Sequence, residues 1–418
     1  MPGDKSISHR YAMLAAIADG TSRLEGYAPG ADCAATLACL EALGASIVRQ
    51  RGPLGLDLQI RGLGLGGLQP SLKPLDAANS GTSMRLLAGL MAAHPFRTVI
   101  AGDASLSQRP MRRVIEPLTK MGASIAAKDG RPPLTIDGAD LQPITHAPEV
   151  PSAQVKSAIL IAGLHARGRT QVIEPAPTRD HTERAFEAFG IPVQREGMSV
   201  SVEGGHRLRA GDFVIPGDVS SAVFWLVLAA GRPGSTLEIE NVGLNPSRTA
   251  VLEVLRRAGA VVDAEVHATG AGEPVGTIRV RDSAPRPFDI DPAMVPGVID
   301  EIPALAALAA MSPGGKMTVR GASELRVKES DRIAMLARGF RAIGIDVDEY
   351  EDGFTIYGGP PSGGEADAAG DHRLAMAFAI AGTAATAPVS VRGTDAVAVS
   401  YPEFFEELRR LCEAGDDR

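Results

Sequence analysis

Five times along this chain a run with helical spacing of apolar residues stops on a glycine and continues as a short β-branched stretch. The five read L-E-A-L-G-A-S-I-V around Gly44, L-T-K-M-G-A-S-I-A around Gly122, F-E-A-F-G-I-P-V around Gly190, L-R-R-A-G-A-V-V around Gly259 and F-R-A-I-G-I-D-V around Gly344. Glycine just past the last turn is the expected C-cap, and the residues after it favour a strand. A second kind of helix alternates with these, poor in charge and rich in Ala, Leu and Ile. It opens on Ser6, Asn79, Ser152, Asp218, Asp300 and Asp371. Helices apolar all round belong in an interior. Each leads to a strand-like run such as Thr98-Val-Ile, Thr170-Gln-Val-Ile, Thr236-Leu-Glu-Ile, Met317-Thr-Val or Val389-Ser-Val. Six openings make six units with a period of roughly 70 to 80 residues, far longer than a solenoid repeat, the sixth cut short after Tyr401-Pro-Glu-Phe-Phe. The pattern predicts an α/β fold of two similar domains, three units in each, divided near Ile215-Pro216-Gly217.

A chain of 418 residues, 44% hydrophobic and 22% charged, is large enough for two domains with full cores. Its net charge of −8 implies no basic face for nucleic acid or an anionic membrane, so local basic clusters carry more meaning. The apolar runs around Ile159 to Leu164, Ala222 to Ala230 and Ala304 to Ala310 are too short to span a bilayer, and the N-terminus has no apolar leader. Cys33, Cys39 and Cys412 are odd in number with no C-x-x-C spacing, which points to free thiols and a cytoplasmic location.

The glycine-rich run from Arg61 to Leu68 formally contains G-x-G-x-x-G. It leads into Gln69-Pro70 rather than a helix, so it reads as a loop and not a dinucleotide site. Gly358 to Gly364 reads likewise. His9, His181 and His372 fit no metal-ligand spacing, and no metal or other cofactor is expected.

Chemistry gathers elsewhere. Lys5, Arg10, Asn79, Arg85, Gln154, Lys156, Asp300, His372 and Arg373 all fall within about two turns of an apolar helix start. Helix N-termini favour anions, so several of them aimed into one crevice would hold ligands with more than one phosphate or carboxylate group. The densest cluster, E-L-R-V-K-E-S-D-R from Glu324 to Arg332, precedes the apolar run at Ile333. Ser330 is the expected N-cap there, with Lys328 and Arg332 for anions and Glu329 to move protons. On residue type alone, Arg109 and Arg332 read as ordinary surface cations, and Asp300 and Ser152 as helix caps.

Nine of these stretches, in order, resemble the 5-enolpyruvylshikimate-3-phosphate synthases of the enolpyruvyl transferase family. They are P-G-D-K-S-I-S-H-R ending at Arg10, N-S-G-T-S-M-R ending at Arg85, S-L-S-Q-R-P-M around Arg109, P-S-A-Q-V-K from Pro151, R-D-H-T-E from Arg179, I-D-E-I-P around Asp300, R-V-K-E-S-D-R ending at Arg332, D-H-R ending at Arg373 and S-Y-P from Ser400. The likeness runs from Pro2 to about Leu411. It implies two domains of three βαβαββ units closing over the substrates, bounded at 6–215 and at 216–418 with the short segment 1–5. It also implies the reaction: the 5-hydroxyl of shikimate 3-phosphate adds to C2 of phosphoenolpyruvate as C3 is protonated, and the intermediate loses phosphate. The partners implied are these two small molecules, with no cofactor, no nucleic acid, no membrane and a monomeric chain.

By the same resemblance Lys5 faces both ligands, while Ser6, Arg10, Ser152, Ala153, Gln154, Arg179, Asp300 and Lys328 bind shikimate 3-phosphate. Arg109, Arg332 and Arg373 clamp phosphoenolpyruvate with Gly81 and Gln154. Asp300 is the base for the hydroxyl proton and Glu329 the donor or shuttle at C3. Guanidinium groups suit the task because they bind carboxylate and phosphate oxygens in pairs.

Departures from the family pattern are also present. The chain opens almost on K-S-I-S-H-R, without the dozen or more residues that usually precede it and supply a strand to the second domain. Val399 stands where many relatives have a lysine, and Ala153 where others have a serine. These differences resemble the second large class of these enzymes, and the glycine at Gly81 implies a pocket that accepts the inhibitor glyphosate. The sister enzyme acting on UDP-N-acetylglucosamine carries a reactive cysteine in the loop that here reads Ala104-Ser-Leu-Ser-Gln-Arg109. A non-catalytic anion-binding relative would lose Asp300 or Glu329, and an RNA 3′-phosphate cyclase needs a basic face; neither description fits.

Overall fold

All five glycine stops adopt the left-handed backbone that other residues take only with strain, with φ of 96° at Gly44, 118° at Gly122, 83° at Gly190, 96° at Gly259 and 86° at Gly344. In the computed structural model, which describes residues 1–282 and 285–416, each glycine closes an amphipathic helix. These are Ala31–Ala42, Arg112–Lys120, His181–Ala188, Ala250–Arg257 and Arg332–Ala342, and a strand follows each.

Six inner helices alternate with them: Lys5–Ala16, Gly81–Met91, Ala153–Gly163, Val219–Gly231, Ile302–Met311 and His372–Gly382. All ten residues of Ile302–Met311 are buried, as is every residue of Val219–Gly231 before its terminal glycine. Burying a Leu, Ile, Val or Phe side chain contributes roughly 1.5–3 kcal/mol, so these helices anchor the two hydrophobic cores. Their starts are capped by side chains: Asp4 accepts from the Ile7 N–H, Ser80 from Ser83, Ser152 from Val155, Asp218 from Ser220 and Asp371 from Arg373. Ser6 and Asn79 are therefore not the caps; Asp4 and Ser80 are. Asp300 lies one residue ahead of Glu301, which opens Ile302–Met311 without a side-chain cap bond. Asp331, not Ser330, caps Arg332–Ala342 by accepting from the Ala334 N–H.

Among the described residues six sheets accompany the six inner helices. The second shows the plan: Leu75–Asp76 runs parallel to Arg97–Ala101, which pairs antiparallel with Arg131–Asp137, itself paired with Ser124–Lys128. An inner helix joins the parallel pair and an amphipathic helix leads to the hairpin, giving βαβαββ. The third sheet and the one built on Lys316–Val319 repeat this order. The first sheet departs from it, because its parallel partner is Asp212–Val214, which precedes the fourth inner helix in sequence but pairs with Thr21–Tyr27. The fourth sheet accordingly has three strands among the described residues, with a bridge from Gly217 to Val242 on that side. The sixth has two, Gly364–Asp367 and Val389–Arg392, and the chain continues as the helix Phe404–Asp416.

The contacts divide the chain into a first unit of residues 2–216 with 269–273, and a second of Met1, 217–268 and 274–418. Residues 2–5, read from sequence as part of the second domain, lie in the first unit. There the Asp4 N–H donates to the Pro216 carbonyl and Asp4 caps Lys5–Ala16. Residues 269–273 join the first unit as well, where the Tyr11 hydroxyl donates to the Ala271 carbonyl. The stretch after Arg61 opens no helix before Gly81, and no described helix is long and apolar enough to cross a membrane.

Two imidazoles sit where the second and third inner helices end. The rings of His94 and His165 are 5.3 Å apart, edge to face, and His94 Nδ1 pairs with the Leu90 carbonyl at 2.9 Å. Burial lowers the His94 imidazole, and burial together with the charge of His94 pushes His165 down to about 3. Both stay neutral in the fold at a pH where the unfolded chain binds protons. Their stabilisation is present above the unfolded value near 6.5 and is lost as pH falls below it, by up to about 1.4 kcal/mol per pH unit for each ring. Urea midpoints measured between pH 7 and pH 5 should fall with pH, and His165→Leu should flatten that slope; an unaltered slope rules this pair out as its source.

Candidate active site

In the first unit, three inner-helix starts are tied together by side chains. Lys5, the first residue of its helix, places Nζ 2.9 Å from Asp32 Oδ2, and the Asp32 carbonyl accepts from Ser83 Oγ at 3.4 Å. Ser83 and Ser80 belong to the start of Gly81–Met91, and their hydroxyls are 2.8 Å apart. From the same turn Thr82 Oγ1 accepts from Gln154 Nε2 at 2.8 Å, while Gln154 Oε1 accepts from Arg85 Nη1 at 2.7 Å. Gln154 thus joins the second start to the third, where Ser152 is the cap and Ala153 the first helical residue.

Arg109 follows a short 3-10 turn, Leu106–Gln108, and is 8% exposed, with Nη2 donating to Asn79 Oδ1 at 2.7 Å. It is not the surface cation its residue type alone would allow. Gly81 explains how two guanidinium groups approach one helix end: a Cβ there would stand 2.7 Å from Arg85 Nη1 and 3.2 Å from Arg109 Nη1.

Arg10 is 3% exposed and joins its own helix to Ala153–Gly163 and His181–Ala188. Its Nη1 donates to the Ser6 carbonyl at 2.8 Å, its Nε to Thr182 Oγ1 at 2.7 Å and its Nη2 to Ser157 Oγ at 2.8 Å. Burial pushes it down to about 10, against the pull of Glu183 and Asp4, so it is charged at neutral pH. Arg179, half-buried on the loop before His181–Ala188, is near enough for its charge to lower Arg10 further.

The second unit holds a different chemistry. The stretch from Glu324 begins as a 3-10 turn, Ser323–Val327, and its charged end surrounds one guanidinium. Arg332 is 1% exposed; Nε donates to Asp371 Oδ2 at 2.7 Å, Nη2 to Glu329 Oε2 at 2.6 Å, and Nη1 lies 3.6 Å from Asp300 Oδ1. Burial alone would depress this guanidinium, but the Asp371, Glu329 and Asp300 carboxylates more than offset it and hold it above the ordinary arginine value. Lys328 Nζ is 3.4 Å from Asp300 Oδ1, and Arg373 Nη1 donates to the Asp300 carbonyl at 2.6 Å. Asp300 and Glu329, the two candidate acid–base groups, therefore share a cation and remain partly exposed.

Each unit so gathers its own share of the sequence-derived residues: Lys5, Ser6, Arg10, Gly81, Arg109, Ser152, Ala153, Gln154 and Arg179 in the first, Asp300, Lys328, Glu329, Arg332 and Arg373 in the second. Among the described residues no group of three or more His, Cys, Asp or Glu could hold a metal ion. Sequence reasoning missed Asp32 as the partner of Lys5, and it read Asp371 only as a helix opening. Nothing local announces either role, since Asp371 is 39 positions from Arg332 and Asp32 is 27 from Lys5.

The profile of EPSP synthase (3-phosphoshikimate 1-carboxyvinyltransferase) matches residues 1–408. The chain belongs to that family. It is 51% identical over 406 residues to the 3-phosphoshikimate 1-carboxyvinyltransferase of Xanthomonas campestris, covering 97% of this chain and 92% of the relative. It is 50% identical over 404 residues to that of Acidithiobacillus ferrooxidans, with the same coverage. The EPSP synthase structure from Acinetobacter baumannii superposes with a TM-score of 0.85 at 44% identity, covering 98% of this chain and 94% of that one. The enolpyruvyl transferase NikO from Streptomyces tendae, 18% identical with a TM-score of 0.76, shares the fold alone. The family assignment makes the chain a transferase of the shikimate pathway, in aromatic amino-acid biosynthesis, that moves an enolpyruvyl group.

Breaking the Arg332 hub has a calculable cost. Asp371→Ala leaves a buried guanidinium short of its main counter-charge and removes a helix cap, which should lower stability by about 3–5 kcal/mol. Urea unfolding followed by far-UV dichroism measures this, and a loss within the ordinary range for surface changes, about 0.5 kcal/mol, would contradict the hub.

Proposed function

We propose that the two sets of residues divide the enolpyruvyl transfer, the first unit supplying most of the anion binding and the second the proton transfers. Ser6, Arg10, Ser152, Ala153, Gln154 and Arg179 bind shikimate 3-phosphate, helped by Lys328 and Asp300. Lys5 faces both ligands. Arg109, Arg332 and Arg373 bind phosphoenolpyruvate with Gly81 and Gln154. What carries the reading is the hub around Arg332, whose one guanidinium fixes two partly exposed carboxylates, Asp300 and Glu329.

In the addition step Asp300 takes the proton of the 5-hydroxyl as its oxygen bonds to C2, and Glu329 delivers a proton to C3. In the elimination C3 gives a proton back and the C2–phosphate bond breaks with its electron pair leaving on phosphate. Charge that develops during both steps is met by Lys5, Lys328 and helix N-termini already fixed in place, the kind of preorganisation that contributes most in water-poor sites. Arg332 takes its share through Nη1, the edge nearest Asp300.

The same reading makes the chain a cytoplasmic monomer with no nucleic-acid partner, in keeping with its net charge of −8 and three free cysteines. Burial raises Cys33 well above an ordinary thiol and pushes Cys39 up to about 12, so neither ionises at neutral pH.

Phosphate released from phosphoenolpyruvate only when shikimate 3-phosphate is added, and not with UDP-N-acetylglucosamine, tests the substrate pair directly. Asp300→Ala and Glu329→Ala should each lower kcat by about 10²–10⁴ with small changes in KM, the span usual for acid–base groups. Wild-type turnover in either removes that residue from the mechanism. Arg179→Ala should raise KM for shikimate 3-phosphate and spare that for phosphoenolpyruvate; the reverse pattern would exchange the two sides.

Gly81→Ala offers a separate check. The new methyl would displace the ends of Arg85 and Arg109, so KM for phosphoenolpyruvate should rise by about 10-fold and inhibition by glyphosate should weaken with it. Unchanged values for both would take Gly81 out of the phosphoenolpyruvate side.

A further inference from the structure

A buried ammonium lies within the first unit, behind the residues assigned to shikimate 3-phosphate. Lys156 is 1% exposed in Ala153–Gly163, and its ammonium is taken up by two carboxylates of the chain itself. Its Nζ is 2.9 Å from Glu174 Oε2 and 2.7 Å from Glu183 Oε1. Glu174 is the first residue after the strand Arg169–Ile173, and Glu183 lies in the first turn of the helix His181–Ala188. The two carboxylates therefore stand at the two ends of one loop, Glu174-Pro-Ala-Pro-Thr-Arg-Asp180, which carries Arg179.

Other contacts tighten the same loop. Thr178 Oγ1 donates to Glu174 Oε1, and the Glu174 N–H donates to the Met198 carbonyl at 2.8 Å. At the far end Arg184 Nε meets Asp180 Oδ2 at 2.8 Å, and His181 Nδ1 meets Glu273 Oε1 at 2.7 Å. The residues next to the ion pair, Ser157 and Thr182, join the same two helices through their hydroxyls, and Arg10 donates to both. Pro175 and Pro177 narrow what the loop can do on its own.

We propose that Lys156 is a positioning residue for the shikimate 3-phosphate side: by drawing Glu174 and Glu183 onto one ammonium it fixes both ends of the Arg179 loop, and so fixes the direction in which Arg179 points. The proposal rests on the assignment of Arg179 to that ligand. Stability alone is a poor reason for the arrangement. Taking an ammonium and two carboxylates out of water costs several kcal/mol per ion, and well-packed apolar residues of similar volume often do as well or better. What an apolar cluster lacks is direction. A lysine held between two acceptors sets the separation of the loop ends, and a misplacement of about 1 Å at a binding group can cost 100-fold.

Lys156→Met alone strands two carboxylates, so the informative variant is Lys156→Met with Glu183→Met, which keeps the volume, removes the two most buried charges and leaves only Glu174, the more exposed carboxylate, which still accepts from Thr178. In this variant KM for shikimate 3-phosphate should rise by about 10-fold or more while kcat and KM for phosphoenolpyruvate move less than about threefold. Amide exchange over residues 174–180 should quicken in the same protein. Arg179→Ala is measured beside it. If Arg179→Ala raises KM for shikimate 3-phosphate and the folded double variant does not, the strut is overturned and the assignment of Arg179 stands. If Arg179→Ala leaves that KM unchanged, the assignment falls and the strut with it. A loss spread evenly over kcat and both KM values, with loop exchange unchanged, would mark a merely structural pair and also overturn the proposal. Should the double variant not fold, Glu174→Gln, at the less buried end, is read by the same criteria.

Discussion

A helix buried on every side can meet a ligand only at its ends. The six inner helices are in that position, and the architecture follows from it. Their flanks are committed to the two hydrophobic cores, so their polar chemistry gathers in the first two turns, and most of all at the helix start. There four backbone N–H groups have no partner in the helix and the dipole favours an anion. Short caps such as Asp4, Ser80, Ser152, Asp218 and Asp371 satisfy one N–H each and leave others for a ligand. Residues placed one or two positions beyond the cap, such as Lys5, Gly81 and Gln154, therefore lie beside the backbone N–H groups that favour an anion.

The repeats share a backbone plan but not a charge plan. In the first unit the helix starts are served by Lys5, Arg10, Arg85 and Arg109, with carboxylates set to tie them down, as Asp32 does for Lys5. In the second the order is inverted: Arg332 is buried and three carboxylates converge on it. A buried guanidinium with one neighbour removed would be costly, and this is why Arg332 can fix Asp300 and Glu329 without itself moving. Those two carboxylates stay partly exposed while Asp371 is fully buried, so they, and not Asp371, are the groups that fit the proton transfers proposed above.

Much of this was legible in the sequence where the cause is local. The glycine stops depend on one residue's backbone freedom, and all five adopt positive φ. The inner helices were visible because a helix buried all round has no polar face to disguise it. Helix starts were placed less well, by one or two residues: at Ser6, Asn79 and Ser330 another capping residue stands within two positions and backbone geometry decides which one caps, and at Asp300 no side chain caps the helix. The partners Asp32, Asp371, Glu174 and Glu183 were beyond reach for a different reason. Each is an ordinary acid in its own neighbourhood and acquires its role from a cation at the end of another helix.

The strand Asp212–Val214 shows where counting repeats fails. By position it should lead the fourth unit, since it precedes the inner helix Val219–Gly231, yet it pairs in register with Arg23, Leu24 and Glu25 of the first sheet. Without this partner the edge of Thr21–Tyr27 would expose unpaired N–H and C=O groups. The fourth sheet accepts the loss because Gly217 still bridges to Val242 and the strand Glu273–Arg281 covers the other edge of Thr236–Gly243. Closing the first sheet with the last strand of the same unit also returns the chain to its beginning, where the Pro216 carbonyl accepts from the Asp4 N–H. The cap that orients Lys5 is thus held in place by residues more than two hundred positions away in sequence, and a reading that treats each repeat as self-contained cannot find that connection.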